Sequence, residues 1–313
     1  MSAGNNYISV VVPAYNESEN LPILVKDICE IFNKSKFINN YEIVVVNDGS
    51  KDNTENVVGD MLYHYKNLTL VNLKENVGKA YSLDAGLKIS KGNIIATMDA
   101  DSQYSPEDLI KMLEKIESGY DLVNGRRTKR QDVFFTKLFS NIYNLILRIL
   151  FRTKIQDFFS GIKVFKKEIY NLMGYRGLSR FVIFFSKKYN FKISEINIEH
   201  KKRKYGVTAY SFLDRIILSL KDIFTLLICV ALEKKGVYQI KQVFLSVYFL
   251  IFLFLILGKF IFNYFNLIDV FYLLTSFSML TMLNLIIQSF LDSKERKNME
   301  TEVSIRSVNT SHS

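Results

Sequence analysis

The chain has 313 residues, 49% of them hydrophobic and 23% charged, which excludes disordered and collagen-like classes and leaves ample material for a core. Two distant cysteines, Cys29 and Cys229, and three histidines (His64, His200, His312) exclude a disulfide framework, a zinc cluster and a His-rich metal site. The net charge of +10 is uneven: residues 1–125 sum to −7 and residues 126–313 to +17, so the second part should meet phosphate, anionic lipid or nucleic acid.

The first 20 residues contain Glu17, Glu19 and several Asn but no secretory apolar core, so export is not expected. Strands are predicted at Tyr7–Val12, Tyr41–Val46, Leu68–Leu73, Asn93–Met98 and Tyr120–Asn124, with helices near 19–34, 53–65, 79–90 and 106–118 between them. Continuously apolar runs such as "ISVVV" and "EIVVV" are those of strands covered on both faces. The alternation reads as an α/β fold with a mostly parallel, Rossmann-like sheet. Ligands in such sheets sit at the carboxyl ends of the strands.

Residues 133–151 and 212–232 carry apolar positions at helical spacing; packing on the sheet and lying in a membrane interface both fit the pattern. Val243–Phe265 holds one charge, Lys259, and Leu267–Leu291 holds one, Asp269. Each run is long enough to cross a bilayer, so a two-helix transmembrane hairpin is expected. Lys234, Lys235 and Lys241 before it, and Lys294, Arg296 and Lys297 after it, place both flanks and the N-terminal domain in the cytoplasm. The expected organisation is a domain over 1–210, interfacial helices over 211–240, the hairpin over 241–292 and a disordered polar tail over 293–313.

Chemistry-bearing residues cluster after the strands. "VVPAYNESENL" offers Pro13 to end the first strand, Tyr15 as a stacking ring and Glu17 as a carboxylate, and equally reads as a helix cap and turn. "VNDGSKDNT" places Asp48 where it could accept a hydrogen bond from a base or ribose, or simply close a turn. "ENVGKAYSLDAG" sets Gly78 and Lys79 at a helix start, where a phosphate could lie; the Walker spacing is absent. "MDADSQYSPEDL" brings Asp99 and Asp101 to the end of the fourth strand, with Gln103 two further on. Two such carboxylates repel unless a cation separates them, and three oxygens suit a hard divalent ion, Mg2+ or Mn2+.

Taken together, "PAYNES", "NDGS", "GKAYSLDAG" and "DADSQ" resemble the family-2 inverting glycosyltransferases over roughly residues 7–210. Gly125-Arg126-Arg127, "DFFSGIKVF" (157–165) and "HKKRKYGVTAYS" (200–211) further resemble the polyprenyl-phosphate branch, which holds dolichyl-phosphate mannose and glucose synthases and bacterial undecaprenyl-phosphate relatives. Arg126 and Ala209 depart from that branch's pattern. Processive relatives carry a Trp-containing motif that a chain without Trp does not have.

The resemblance implies transfer of one sugar from a nucleotide sugar, with UDP-glucose favoured, to a polyprenyl phosphate, for glycan or glycoconjugate assembly. The donor would lie over Pro13, Tyr15, Glu17, Asp48, Lys79 and Asp99, its diphosphate on a metal held by Asp99, Asp101 and Gln103. Asp101, Arg127, Asp157 and Arg203 are the candidate catalytic residues, the two arginines because guanidinium forks match phosphate oxygens. Partners are then the donor, the lipid phosphate and the bilayer, in a bacterial cell membrane, and no nucleic acid; homo-oligomerisation is compatible with the resemblance. The alternatives are a GDP-mannose-dependent dolichyl-phosphate mannose synthase and a catalytically degenerate, membrane-anchored scaffold that binds nucleotide sugars.

Overall fold

A strand begins where β-branched residues accumulate, and the apolar run "ISVVV" becomes the first strand of a computed structural model that describes residues 6–128, 153–173, 181–201, 304–306 and most of 140–149. The predicted 211–240 helices, the 241–292 hairpin and Arg203 lie outside the described residues. Among the described residues no helix is long and apolar enough to cross a membrane.

The strands are β1 (Ile8–Ala14), β2 (Tyr41–Asn47), β3 (Leu68–Asn72), β4 (Ile94–Thr97), β5 (Leu122–Thr128), β6 (Lys163–Lys166), β7 (Ile193–Glu199) and β8 (Ser304–Arg306). They form one sheet in the order β7-β5-β6-β4-β1-β2-β3-β8. The β1–β2, β1–β4, β2–β3 and β5–β7 pairs are parallel, whereas β6 runs antiparallel to both β4 and β5 and β8 antiparallel to β3. The helices are α1 (Leu21–Asn33), α2 (Thr54–Met61), α3 (Lys79–Ile89), α4 (Pro106–Glu117), α5 (Lys167–Met173) and α6 (Val182–Lys188). β1 and β2 are buried almost throughout, because helices cover both faces of a parallel sheet. In α1 the spacing of Leu21, Leu24, Val25, Ile28 and Phe32 lays one apolar stripe onto the core.

Several expectations are corrected. Pro13 does not end β1: the strand runs on to Ala14, with Pro13 opposite Val46 of β2. The Val11 carbonyl accepts from Met98 on the β4 side and the Ala14 carbonyl from Asp48 on the β2 side, so Pro13 faces β4, whose ladder with β1 has ended at Val11. The missing proline N–H therefore removes no ladder bond. The fifth strand does not stop at Asn124. It continues through Arg126 and Arg127, opposite Asn197 and Ile198, because β7 supplies a parallel partner that local sequence does not reveal. Residues 304–306, within the tail expected to be disordered, pair with the open edge of β3, where main-chain groups suffice for pairing.

Candidate active site

The turns after β1 and β2 are sewn together. The Asn16 amide donates to Ser50 Oγ (2.9 Å), the Lys51 amide to Asn16 Oδ1 (2.8 Å), and the Glu17 amide to Thr54 Oγ1 (3.0 Å). Asn16 sits at φ +56°, a conformation asparagine tolerates better than most residues. Glu17 is buried and accepts from Asn20 Nδ2 at 2.6 Å, while Tyr15 is half-buried beside it.

Asp48 is spent on the main chain. Its Oδ1 accepts from the Val77 amide (2.9 Å) and its Oδ2 from the Gly78 amide (3.0 Å). Burial pushes its carboxyl above the usual range, against the pull of hydrogen bonds from Val77, Ser82 and Gly78. Next to it, Gly49 at φ +61° packs so closely that a Cβ would stand 2.6 Å from Glu75 Cα and 2.7 Å from the Asn76 nitrogen. Asp48-Gly49 is thus a latch that fixes the 75–78 loop. That loop ends in Gly78, at φ +89°, just before Lys79 opens α3.

Lys79 reaches across to β4: its ammonium pairs with Asp99 Oδ1. Burial would raise the Asp99 pKa, but Lys79 above all, with Lys163 and Arg127 behind it, holds the carboxyl below the usual range. Asp101 is buried, and its Oδ1 accepts from the Gln103 amide at 3.3 Å. Gln103 turns the other way: its Nε2 donates to the Lys201 carbonyl (3.0 Å), and its own carbonyl accepts from the Lys201 amide (2.9 Å). The loop that carries the aspartates is therefore tied to the chain after β7 through both the side chain and the main chain of Gln103.

The 157–161 loop packs against Asp99 and Tyr104. Arg127 donates to Asp157 through Nε (2.7 Å) and Nη2 (2.8 Å), a bidentate fork, and through its own amide (3.2 Å). Both side chains are largely buried, at 14% and 6% exposure. Burial raises the Asp157 pKa, but the Arg127 fork more than offsets this and keeps the carboxyl below its usual range. Gly161 donates its amide to Tyr104 Oη at 3.0 Å. A Cβ on Gly161 would overlap the Asp99 carboxylate, standing 2.6 Å from Oδ1 and nearer still to Oδ2. Buried Lys163 donates to the Ser160 carbonyl. Burial, reinforced by Lys79, lowers its pKa to about 7 although Asp157 and Asp99 pull the other way.

The structure thus brings together Asp48, Lys79, Asp99, Asp101, Gln103, Arg127 and Asp157 at the carboxyl ends of β2, β4 and β5 and the loops facing them. Sequence reasoning assigned no part to Asn124, Tyr104, Gly161, Lys163 or Glu195. A usable signal was present for two of them: Lys163 interrupts the apolar run "GIKVF", and Asn124 breaks "DLVNG" inside a strand.

The donor types expected here would suit a divalent cation. Among the described residues no three Asp, Glu, His or Cys side chains form a group, so the set would be two carboxylates and an amide oxygen. These are hard ligands, suited to Mg2+ or Mn2+, and Gly161 leaves room for the Asp99 carboxylate itself, which a Cβ there would overlap.

Residues 9–174 match the profile described as "Glycosyl transferase family 2". The chain is 30% identical over 236 residues to an undecaprenyl-phosphate 4-deoxy-4-formamido-L-arabinose transferase of Enterobacter sp. (strain 638), covering 74% of this chain and 70% of that one. It is 31% identical to the protein of that name from Pectobacterium carotovorum, covering 70% and 67%. Among solved structures it resembles glucosyl-3-phosphoglycerate synthase of Mycobacterium tuberculosis in complex with Mn2+ and uridine-diphosphate-glucose, with TM-score 0.54, 18% identity and coverage of 71% and 78%. It also resembles S. aureus TarS 1-349 in complex with UDP-GlcNAc, with TM-score 0.51, 20% identity and coverage of 75% and 70%. At these identities the two structures establish the fold, a GT-A-like α/β sheet.

Proposed function

The chain belongs to glycosyl transferase family 2, and from that premise we propose that it moves one sugar from a nucleotide sugar to a polyprenyl phosphate, with undecaprenyl phosphate as the acceptor. One observation carries the reading. Asp99, two residues before Asp101 at the end of β4, pairs with Lys79 and feels the charge of Arg127, itself forked to Asp157, so anion-binding and cation-binding groups meet at one place. Support for the acceptor comes from the curated relatives, whose names specify undecaprenyl phosphate. Those names also specify a formamido-arabinose, so glucose and UDP are not carried forward as the preferred donor.

A phosphate monoester has a second pKa of about 6, so the acceptor arrives ionised and needs no strong general base. Its oxygen attacks the anomeric carbon opposite the nucleotide, forming one C–O bond as the bond to the diphosphate breaks and inverting the centre. Aligning two anions against their repulsion is the main task of the site. Asp99, Asp101 and Gln103 would hold a divalent cation, whose chemistry is to neutralise the departing diphosphate. Lys79, at the start of α3, meets the donor phosphates, and Arg127, oriented by Asp157, meets the acceptor phosphate. Asp157 moves no proton: its two oxygens are committed to the guanidinium. The remaining elements of the reading are membrane attachment through the 241–292 hairpin and a cytoplasmic catalytic domain.

The test is transfer of radiolabel from a panel of nucleotide sugars with Mn2+ to C55 lipid phosphate. Asp101→Ala is expected to abolish transfer while the thermal melt is unchanged. No turnover of any donor by the wild type would favour a binding scaffold instead.

A further inference from the structure

The Asp157 loop is held from below by a carboxylate that no step of the transfer uses. Glu195 lies on β7 opposite Asn124 of β5 in the parallel register. Its Oε1 accepts from the amides of Gln156 (3.1 Å) and Asp157 (3.1 Å) and from Asn124 Nδ2 (2.9 Å), and its Oε2 accepts from the Gln156 amide at 3.0 Å. Asn124 Nδ2 also donates to the Asp157 carbonyl at 2.7 Å. Both main-chain polar groups of Asp157 are thereby fixed by two side chains, while its own side chain fixes Arg127.

Asn124 bears a cost for this arrangement. It is fully buried, and its Oδ1 has no hydrogen-bond partner. Rotating the amide would satisfy nothing, because both contacts of Nδ2 are to acceptors. An unpaired buried oxygen disfavours the fold, so a core chosen for stability alone would not keep asparagine here. Asn124 and Glu195 act together on one loop.

We propose that Glu195 is a positioning residue for the transfer: with Asn124 it fixes the 156–157 main chain and so sets where the Arg127–Asp157 pair stands against the acceptor phosphate. The inference rests on the transfer reading above. It divides the site in two. The Asp48 latch, Lys79 and the aspartates serve the donor, and the Glu195–Asn124 clamp serves the acceptor.

The test compares full-length wild type, Glu195→Gln and Glu195→Ala by acceptor kinetics, by titration with Mn2+ and nucleotide, and by thermal melt. Glu195→Ala should lose about 30- to 100-fold in kcat/KM for the lipid phosphate, the scale of an ångström's misplacement. Its affinity for Mn2+ with nucleotide should stay within about threefold of wild type, since nothing on the donor side touches Glu195. Glu195→Gln keeps an acceptor oxygen for the loop amides and should recover about tenfold of the loss. Full acceptor kinetics in a folded Glu195→Ala, or an equal loss of nucleotide binding, overturns the proposal. If Glu195→Ala does not fold, Glu195→Gln decides: wild-type acceptor kinetics in that variant overturn it, and a selective loss supports it. A wild type that transfers nothing overturns the functional reading itself, which is a different outcome from variants that match an active wild type.

Discussion

Gly161→Ala separates the chemistry of the candidate site from the stability of the fold. The added Cβ would stand 2.6 Å from Asp99 Oδ1 and nearer to the rest of the carboxylate, where ordinary contact begins at 3.4 Å. Gly161 is not among the glycines of positive φ, so alanine fits the backbone. The obstacle is the tip of a side chain, which yields: Asp99 turns aside by roughly 1 Å, enough to cost about 100-fold in rate, or about 2.7 kcal/mol. Stability should change little, because alanine in place of glycine restricts the unfolded chain and contributes about 0.4–1 kcal/mol in its favour. The assays are transfer to C55 lipid phosphate, Mn2+ titration and a thermal melt on the same preparation. The expected pattern is a loss of transfer and of Mn2+ affinity at an unchanged melting temperature. Transfer within threefold of wild type would refute the placement of Asp99 against Gly161, and with it the assignment of Asp99 to the metal.

Lys79→Met should act in opposite directions on two ligands. Removing the ammonium from Asp99 strengthens binding of Mn2+ alone by about two- to fivefold, the range of a partly exposed ion pair, and weakens a nucleotide diphosphate by about tenfold; isothermal titration reads both. Asp157→Asn leaves a buried guanidinium without its carboxylate and should cost about 3–5 kcal/mol in urea unfolding, as one-sided removal of a buried pair does. Asp157 also gives a pH signature. Its carboxyl is held below the ordinary value, so the unfolded chain binds the proton more readily and stability rises with pH. The contribution is complete above about pH 4–5 and disappears as the pH falls through the folded value; urea midpoints between pH 7 and pH 3 should fall less steeply in Asp157→Asn than in wild type.

Sequence alone determined the order of strands and helices from Ile8 to Thr128 and set the candidate site residues at strand ends. Apolar runs and helical periodicity are local patterns, and acidic or glycine-rich turns stand out against them. It also proposed Asp99, Asp101 and Lys79 for one site, where the structure pairs Lys79 with Asp99, and it left Asp48 between a nucleoside contact and a turn without showing that both its oxygens hold the 75–78 loop. Only the tertiary structure decided the second half of the site. β6 enters antiparallel between β4 and β5, and β7 pairs with β5, so residues 157–163 reach Arg127 and Asp99, and Glu195 reaches Asn124 and the Asp157 amide, from far along the chain. The physical reason is that a hydrogen bond between Glu195 and the Asp157 amide, or a gap in which glycine alone leaves room for a carboxylate, depends on strand register between distant segments. No periodicity within either segment encodes that register.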